Sequence, residues 1–95
     1  MLLFGACERP TIHEVRGILM AVEARDLVNA ERVTLREQDG TTHVFLVSSE
    51  VAENPEHPNS ASHLRQHMAA ADPVIVRYQD SPAGPVATRI LDTQP

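Results

Sequence analysis

A chain of 95 residues lies below the length at which domains usually divide, yet it can bury a core without disulfide or metal staples, so one domain is expected. Hydrophobic residues at 42% and charged residues at 22% argue against a disordered chain or a membrane-embedded body. Thirteen acidic residues against eight basic ones give a net charge of -5, which repels phosphate backbones and anionic lipid surfaces, and aromatics at 3% leave few stacking platforms for bases.

The first seven residues, Met1, Leu2, Leu3, Phe4, Gly5, Ala6 and Cys7, form an apolar stub that ends in small residues before the chain's single cysteine. One thiol excludes an internal disulfide and a metal site chelated by two thiolates. The stub resembles the tail of a bacterial lipoprotein signal, without the basic start and the roughly 7–15 apolar residues of a complete one. If the true start lies upstream of Met1, Cys7 becomes the lipid-carrying residue and the protein is anchored at the cell envelope; otherwise it is cytoplasmic, with Cys7 in an N-terminal segment of no special role. No other segment approaches the ~20 apolar residues of a membrane span. Residues 1–10 are therefore set apart from a domain at 11–92 and a tail at 93–95.

Within residues 11–24 apolar and polar side chains alternate, Ile12 then Val15, Ile18, Met20 and Val22, with a slip of one around Gly17. This predicts one long strand bent at the glycine, so that a single strand serves two faces of a small barrel. Residues 25–30 have no clean period and read as a loop or a single helical turn. Val33 and Leu35 alternate with Thr34 and Arg36 until Asp39 and Gly40 break the run, and the stretch from His43 to Val47 completes a hairpin. A two-residue turn would set Val44 and Leu46 on the face of Val33 and Leu35. A three-residue loop with Gly40 in a bulge sets His43, Phe45 and Val47 there, and this register is expected because so small a core cannot leave Phe45 in water.

Glu50, Glu53, Asn54, Pro55, Glu56 and Pro58 are turn and loop chemistry, so no regular element is expected between 48 and 59. Ser60 or Ser62 can cap a helix that carries His63 to Met68, reaches about Ala71 and ends at Asp72 and Pro73. Leu64, Met68 and Ala71 give that helix a narrow apolar stripe. Leu64 and Met68 should plug one end of a barrel, against Val76, Phe45 and the bent strand near Ile18 and Met20. Val74, Val76 and Tyr78 alternate in a fourth strand, a turn follows at 81–85, and Val86, Thr88 and Ile90 mark the fifth strand.

Three strands, a short helix and two strands, with a bent first strand, resemble the OB-fold, a mainly β, five-stranded, partly open barrel with its helix between the third and fourth strands. Gly17, the run from Val33 to Gly40, the run from His63 to Met68, the run from Pro73 to Tyr78 and the run from Val86 to Asp92 are also similar to small bacterial envelope proteins with no assigned activity. That resemblance implies a location more than a mechanism, because one fold hosts many functions.

Two constellations could carry chemistry. His63 and His67, four apart on the expected helix, share one face at a spacing that can hold Zn²⁺ or Cu²⁺, with His57, Met68, Glu53 or Glu56 as further donors. A metalloprotease motif would need Glu directly after the first His, where Leu64 stands. The competing reading has both histidines flanking the apolar stripe, one bonded to the Glu-rich loop and the other half-buried. Glu50, Glu53 and Glu56 lack the alternating Asp/Asn ligands and central Gly of a calcium loop and read as a solvated loop. On an OB barrel the usual ligand surface is the exposed face of the second and third strands, here Thr34, Arg36, Val44 and Leu46. Arg36 could meet an anionic group there; alternatively it pairs with Glu37 or an acid of another strand.

No nucleophile elbow, identifiable Cys–His pair or Gly-rich phosphate cradle is present, so neither an enzyme nor a cofactor is expected. The expected function is a non-catalytic, monomeric OB-like binding or accessory module of the bacterial cell envelope, with a protein or a small ligand as partner and the membrane reached only through Cys7. The alternatives are a Zn/Cu protein using His63 and His67 with His57, and a cytoplasmic single-stranded nucleic-acid-binding module, for which the basic stripe and surface aromatics are lacking.

Overall fold

The computed structural model describes residues 11–26, 28–53 and 59–93. Its elements are β1 (His13–Ala24), β2 (Ala30–Arg36), β3 (Thr42–Val47), α1 (Glu50–Glu53), α2 (Ala61–Ala70), β4 (Val74–Ser81) and β5 (Gly84–Asp92). The strands hydrogen-bond in the order β1-β2-β3-β5-β4, and β4 returns to β1. This is the expected OB-like five-stranded barrel with the helical segment between the third and fourth strands. It is closed rather than partly open, because two parallel pairs, Leu46 with Val86 and Val47 with Ala87, join β3 to β5.

β1 serves two neighbours. Its first half, from His13 to Gly17, pairs with β4, and its second half, from Ile18 onward, pairs with β2. At the hand-over the backbones approach so closely that a Cβ on Gly17 would overlap the carbonyl of Arg36, which leaves glycine as the residue that fits. The slip in alternation does not sit at this glycine. It is a bulge at Met20 and Ala21 opposite Thr34, which turns Met20 outward while Leu19 and Val22 point into the barrel. Met20 is consequently 51% exposed and takes no part in the helix seat.

The β2–β3 hairpin takes the register that buries its aromatic. Val33 faces Phe45 and Leu35 faces His43 across a loop in which Gly40 adopts φ 96°, in the left-handed region. Phe45 is 1% exposed, and its ring lies 4.7 Å from that of Tyr78. His43 stacks on Phe45 at 5.8 Å and His13 on Tyr78 at 5.1 Å, so four rings line up across the sheet.

The stretch read as loop contains one helical turn, α1. Ser48 starts it by accepting the Glu50 N–H on its hydroxyl and the Val51 N–H on its carbonyl, at 3.2 and 3.1 Å, and Val51 is buried against the core. A single inward valine was too little periodicity to reveal this turn. α2 begins at Ser60, whose hydroxyl accepts the His63 N–H at 3.1 Å, and ends at Ala71, which adopts φ 55° as a left-handed cap. Ala71 is therefore exposed, and the stripe is Ala61, Leu64 and Met68 instead. Leu64 is fully buried in the cluster that holds Phe45 and Val76, with Met68 packed at its edge. The Arg65 guanidinium, donating to the Val22 carbonyl at 3.3 Å, ties the helix to β1.

β5 carries its own bulge at Thr88, which lies between the pairs Arg77–Arg89 and Tyr78–Ala87. Ala87 and Ile90 thus point inward, and Thr88 is left to donate to the Arg77 carbonyl at 3.3 Å. Asn59, buried just before α2, donates its side-chain amide to the Ile90 carbonyl and its backbone N–H to the Val51 carbonyl. Those bonds satisfy polar groups beneath the helix that would otherwise be costly to bury.

Leu64→Ala should destabilise the fold by about 2–5 kcal/mol, a large share of the roughly 5–15 kcal/mol of a small domain, whereas His63→Ala should change it by about 1 kcal/mol or less. Denaturant melts of both variants in the presence of a chelator make the comparison; a Leu64→Ala protein as stable as wild type would show that the helix is not seated on the barrel. Gly17→Ala supplies a test of sign. Where the backbone tolerates it, Gly→Ala stabilises by about 0.4–1 kcal/mol, but the clash with the Arg36 carbonyl should reverse this to a loss of about 1–3 kcal/mol. A raised melting midpoint would refute the close approach.

Candidate functional site

Inward and outward positions alternate along β1 up to the bulge, so Arg16 and Ile18 project outward on either side of Gly17. Arg36, opposite Ile18 on β2, projects to the same outer surface. With Gln38 of the hairpin loop and Pro73 ahead of β4, these side chains wall a cleft of about 660 Å³. Its placement follows from the hand-over: where β1 changes partner, β4 and β2 diverge and leave a groove over the glycine.

Two carboxylates also border this cleft, and both are engaged. Glu37 meets His43 Nε2 at 2.7 Å, and Asp39 accepts the Thr41 backbone N–H at 2.9 Å. That backbone bond, helped by the Thr41 side chain, holds the Asp39 carboxyl below the usual carboxylate range and so keeps it ionised within the turn. Of the seven described arginines two meet acids, Arg77 with Glu14 at 2.8 Å and Arg32 with Glu23 at 3.6 Å. Among the described residues Arg16 and Arg36 have no ion-pair partner, and the alternative pairing of Arg36 with Glu37 is not formed. Thr34 stands between Ala21 and Val44 one row along the outer face, outside the cleft.

A second cluster lies where α2 meets the end of β5. The helical spacing puts His63 and His67 on one face, with their Nε2 atoms 3.1 Å apart and their rings edge-on at 88°. Asp92, the last residue of β5, brings Oδ1 to 2.7 Å from His67 Nε2. The other ring nitrogen, His67 Nδ1, faces Asp72 Oδ2 at 3.8 Å. One ligand atom from each of His63, His67 and Asp92 falls within 4.8 Å of the others.

Of the further donors expected around the histidine pair, Met68 packs on the core and Glu53 is exposed on α1, while His57 and Glu56 lie outside the described residues. Cys7, the expected lipid-attachment residue, also lies outside them. Sequence reasoning missed Arg16, Asp72 and Asp92. The first stands directly before the predicted bend, which was a usable signal. Asp72 was read only as a helix terminator, and Asp92, 25 positions beyond His67, gave no signal, because it reaches the helix through the register of the β4–β5 pair, which sets it opposite Val74.

Comparison of the chain with protein families, curated proteins and solved structures gave no match.

Proposed function

We propose that the protein is a non-catalytic binding module of the cell envelope, whose barrel holds a small anionic group in the cleft over Gly17. The observation that carries the binding reading is a pair of outward arginines, Arg16 and Arg36, left without acidic partners beside two carboxylates that are already engaged. On a chain of net charge -5, two guanidinium groups in one groove, without ion-pair partners among the described residues, are charged donors that a carboxylate or phosphate can accept from. Guanidinium groups suit such planar or tetrahedral oxyanions because they donate bidentate bonds, and Gln38 adds an amide donor at the rim. Among the described residues the side chains around the groove include no Ser, Cys or Lys, and its two carboxylates are engaged by His43 and the Thr41 N–H, so the set favours holding over transforming. The apolar stub ending on Cys7 supports the envelope placement.

The acidic balance of the whole chain favours a small anion over a polyanion. A nucleic-acid strand would lay many phosphates along a surface that is negative outside the groove, whereas one oxyanion meets only the two arginines.

Backbone amide shifts followed by NMR during titration with inorganic phosphate, and separately with citrate, test this reading and distinguish the two oxyanion classes. The expected result is saturable shifts centred on Arg16, Ile18, Arg36 and Gln38. A charge-assisted hydrogen bond contributes about 1.5–3 kcal/mol, and 1.4 kcal/mol is tenfold in affinity, so Arg36→Gln and Arg16→Gln should each weaken binding by roughly tenfold or more. Shifts that persist unchanged in the Arg16→Gln/Arg36→Gln double variant, or tight oligonucleotide binding with a steep salt dependence, would overturn it.

A further inference from the structure

We propose that His63, His67 and Asp92 form a binding site for a divalent transition-metal ion, with Zn²⁺ favoured by the donor set, and that the ion clamps α2 to the end of β5. The site uses none of the groups of the anion cleft.

The helix contributes two imidazole nitrogens that are held in place. His63 sits on the turn capped by Ser60, and the carbonyl of His67 is engaged by the Asp72 N–H at 3.0 Å in the C-terminal cap. The backbone at both histidines is therefore fixed, and the i, i+4 spacing does the rest. His67 is only 13% exposed at its side chain, so its ring has little freedom to turn away. On the other side, Asp92 is registered by its pairing with Val74, and Thr93 donates to the Pro73 carbonyl at 3.0 Å just beyond it. The third donor is thus positioned by the barrel and the first two by the helix.

Counting protons favours an ion. His67 Nε2 faces a carboxylate oxygen at 2.7 Å and the Nε2 of a second imidazole at 3.1 Å. One proton on that nitrogen must be shared between two acceptors, or point at one and leave the other lone pair facing a nitrogen. A divalent cation takes a lone pair from each of the three groups. Tetrahedral zinc, with bonds of about 2.0–2.2 Å, spaces its donors roughly 3.3–3.5 Å apart. The His63–His67 separation of 3.1 Å and the His67–Asp92 separation of 2.7 Å need to open by roughly 0.3 and roughly 0.7 Å to match, and half-exposed Asp92 can supply the larger change by rotation.

The outer carboxylate is consistent with this assignment. A metal-bound imidazole commonly directs its second nitrogen to a carboxylate, which fixes the tautomer and raises ligand basicity. Asp72 stands on the Nδ1 side of His67 while the converging donors stand on the Nε2 side. Two imidazoles and one carboxylate suit Zn²⁺ and its neighbours better than Mg²⁺ or Ca²⁺, which prefer all-oxygen sets. Three protein donors leave the fourth position of a tetrahedral ion to water.

The test is calorimetric titration of Zn²⁺ into the full chain after treatment with a chelator, paired with Co²⁺ titration followed by its visible absorption. Wild type should bind one ion per chain, show the intense Co²⁺ bands of a tetrahedral site, and melt several degrees higher with Zn²⁺ bound. The His63→Ala/His67→Ala variant should lose the site, Asp92→Asn should weaken it at least tenfold, and His13→Ala should leave it unchanged. Melts in chelator establish that each variant is folded, and Asp92→Asn removes a ligand from a half-exposed position with little change of shape. Failure of wild type to bind, or an affinity unchanged in either the double variant or Asp92→Asn, overturns the site.

Discussion

The close contact of Gly17 with the backbone of β2 is the constraint on which the rest of the barrel depends. Every strand of a closed barrel has two neighbours, and β1 takes its two in succession, leaving β4 and joining β2 within a single step, between Gly17 and Ile18. A side chain at that point would hold the two backbones apart. With the corner made, β4 and β2 flank one strand, β5 reaches β3 through only two parallel pairs, and the interior becomes small enough for Phe45, Leu19, Leu35, Leu64 and a few valines to fill.

The strand pairings also explain why the two candidate sites lie where they do. The groove with the unpaired arginines is the outer side of the corner, where strands diverge over the glycine. The histidine cluster is the joint at which α2 meets the last residue of β5. In the first, the neighbouring acids are held by the hairpin turn and by His43, so the two guanidinium groups are left without an ion-pair partner among the described residues. In the second, lone pairs converge faster than protons can satisfy them. Each leaves polar groups short of a partner that a bound species would supply, an anion at one and a cation at the other.

Bulges set which side chains reach these places. The one at Met20 and Ala21 turns an apolar side chain into solvent and keeps Leu19 and Val22 inside, and the one at Thr88 brings Ala87 and Ile90 to the core. The second was hidden from a reading of alternation, and the first showed there only as a slip of one around Gly17. A bulge shifts the phase by one, and short runs of Val, Ile and Ala look equally periodic in either phase.

What the sequence alone determined was local. Alternation at Val33, Leu35, Val74 and Val76 identified strands, Asp39 and Gly40 the hairpin, the burial demand of Phe45 its register, and Ser60 and Pro73 the limits of the helix. The His63–His67 pair was legible for the same reason, since helical spacing alone brings the two together. Closure of the sheet, the outward turn of Met20, the pairing of Glu37 with His43 in place of Arg36, and the arrival of Asp92 at the histidines were decided by the tertiary structure. Each joins residues that are distant along the chain or depends on a shift of one residue in register, and neither leaves a mark in the spacing of side chains within a single element.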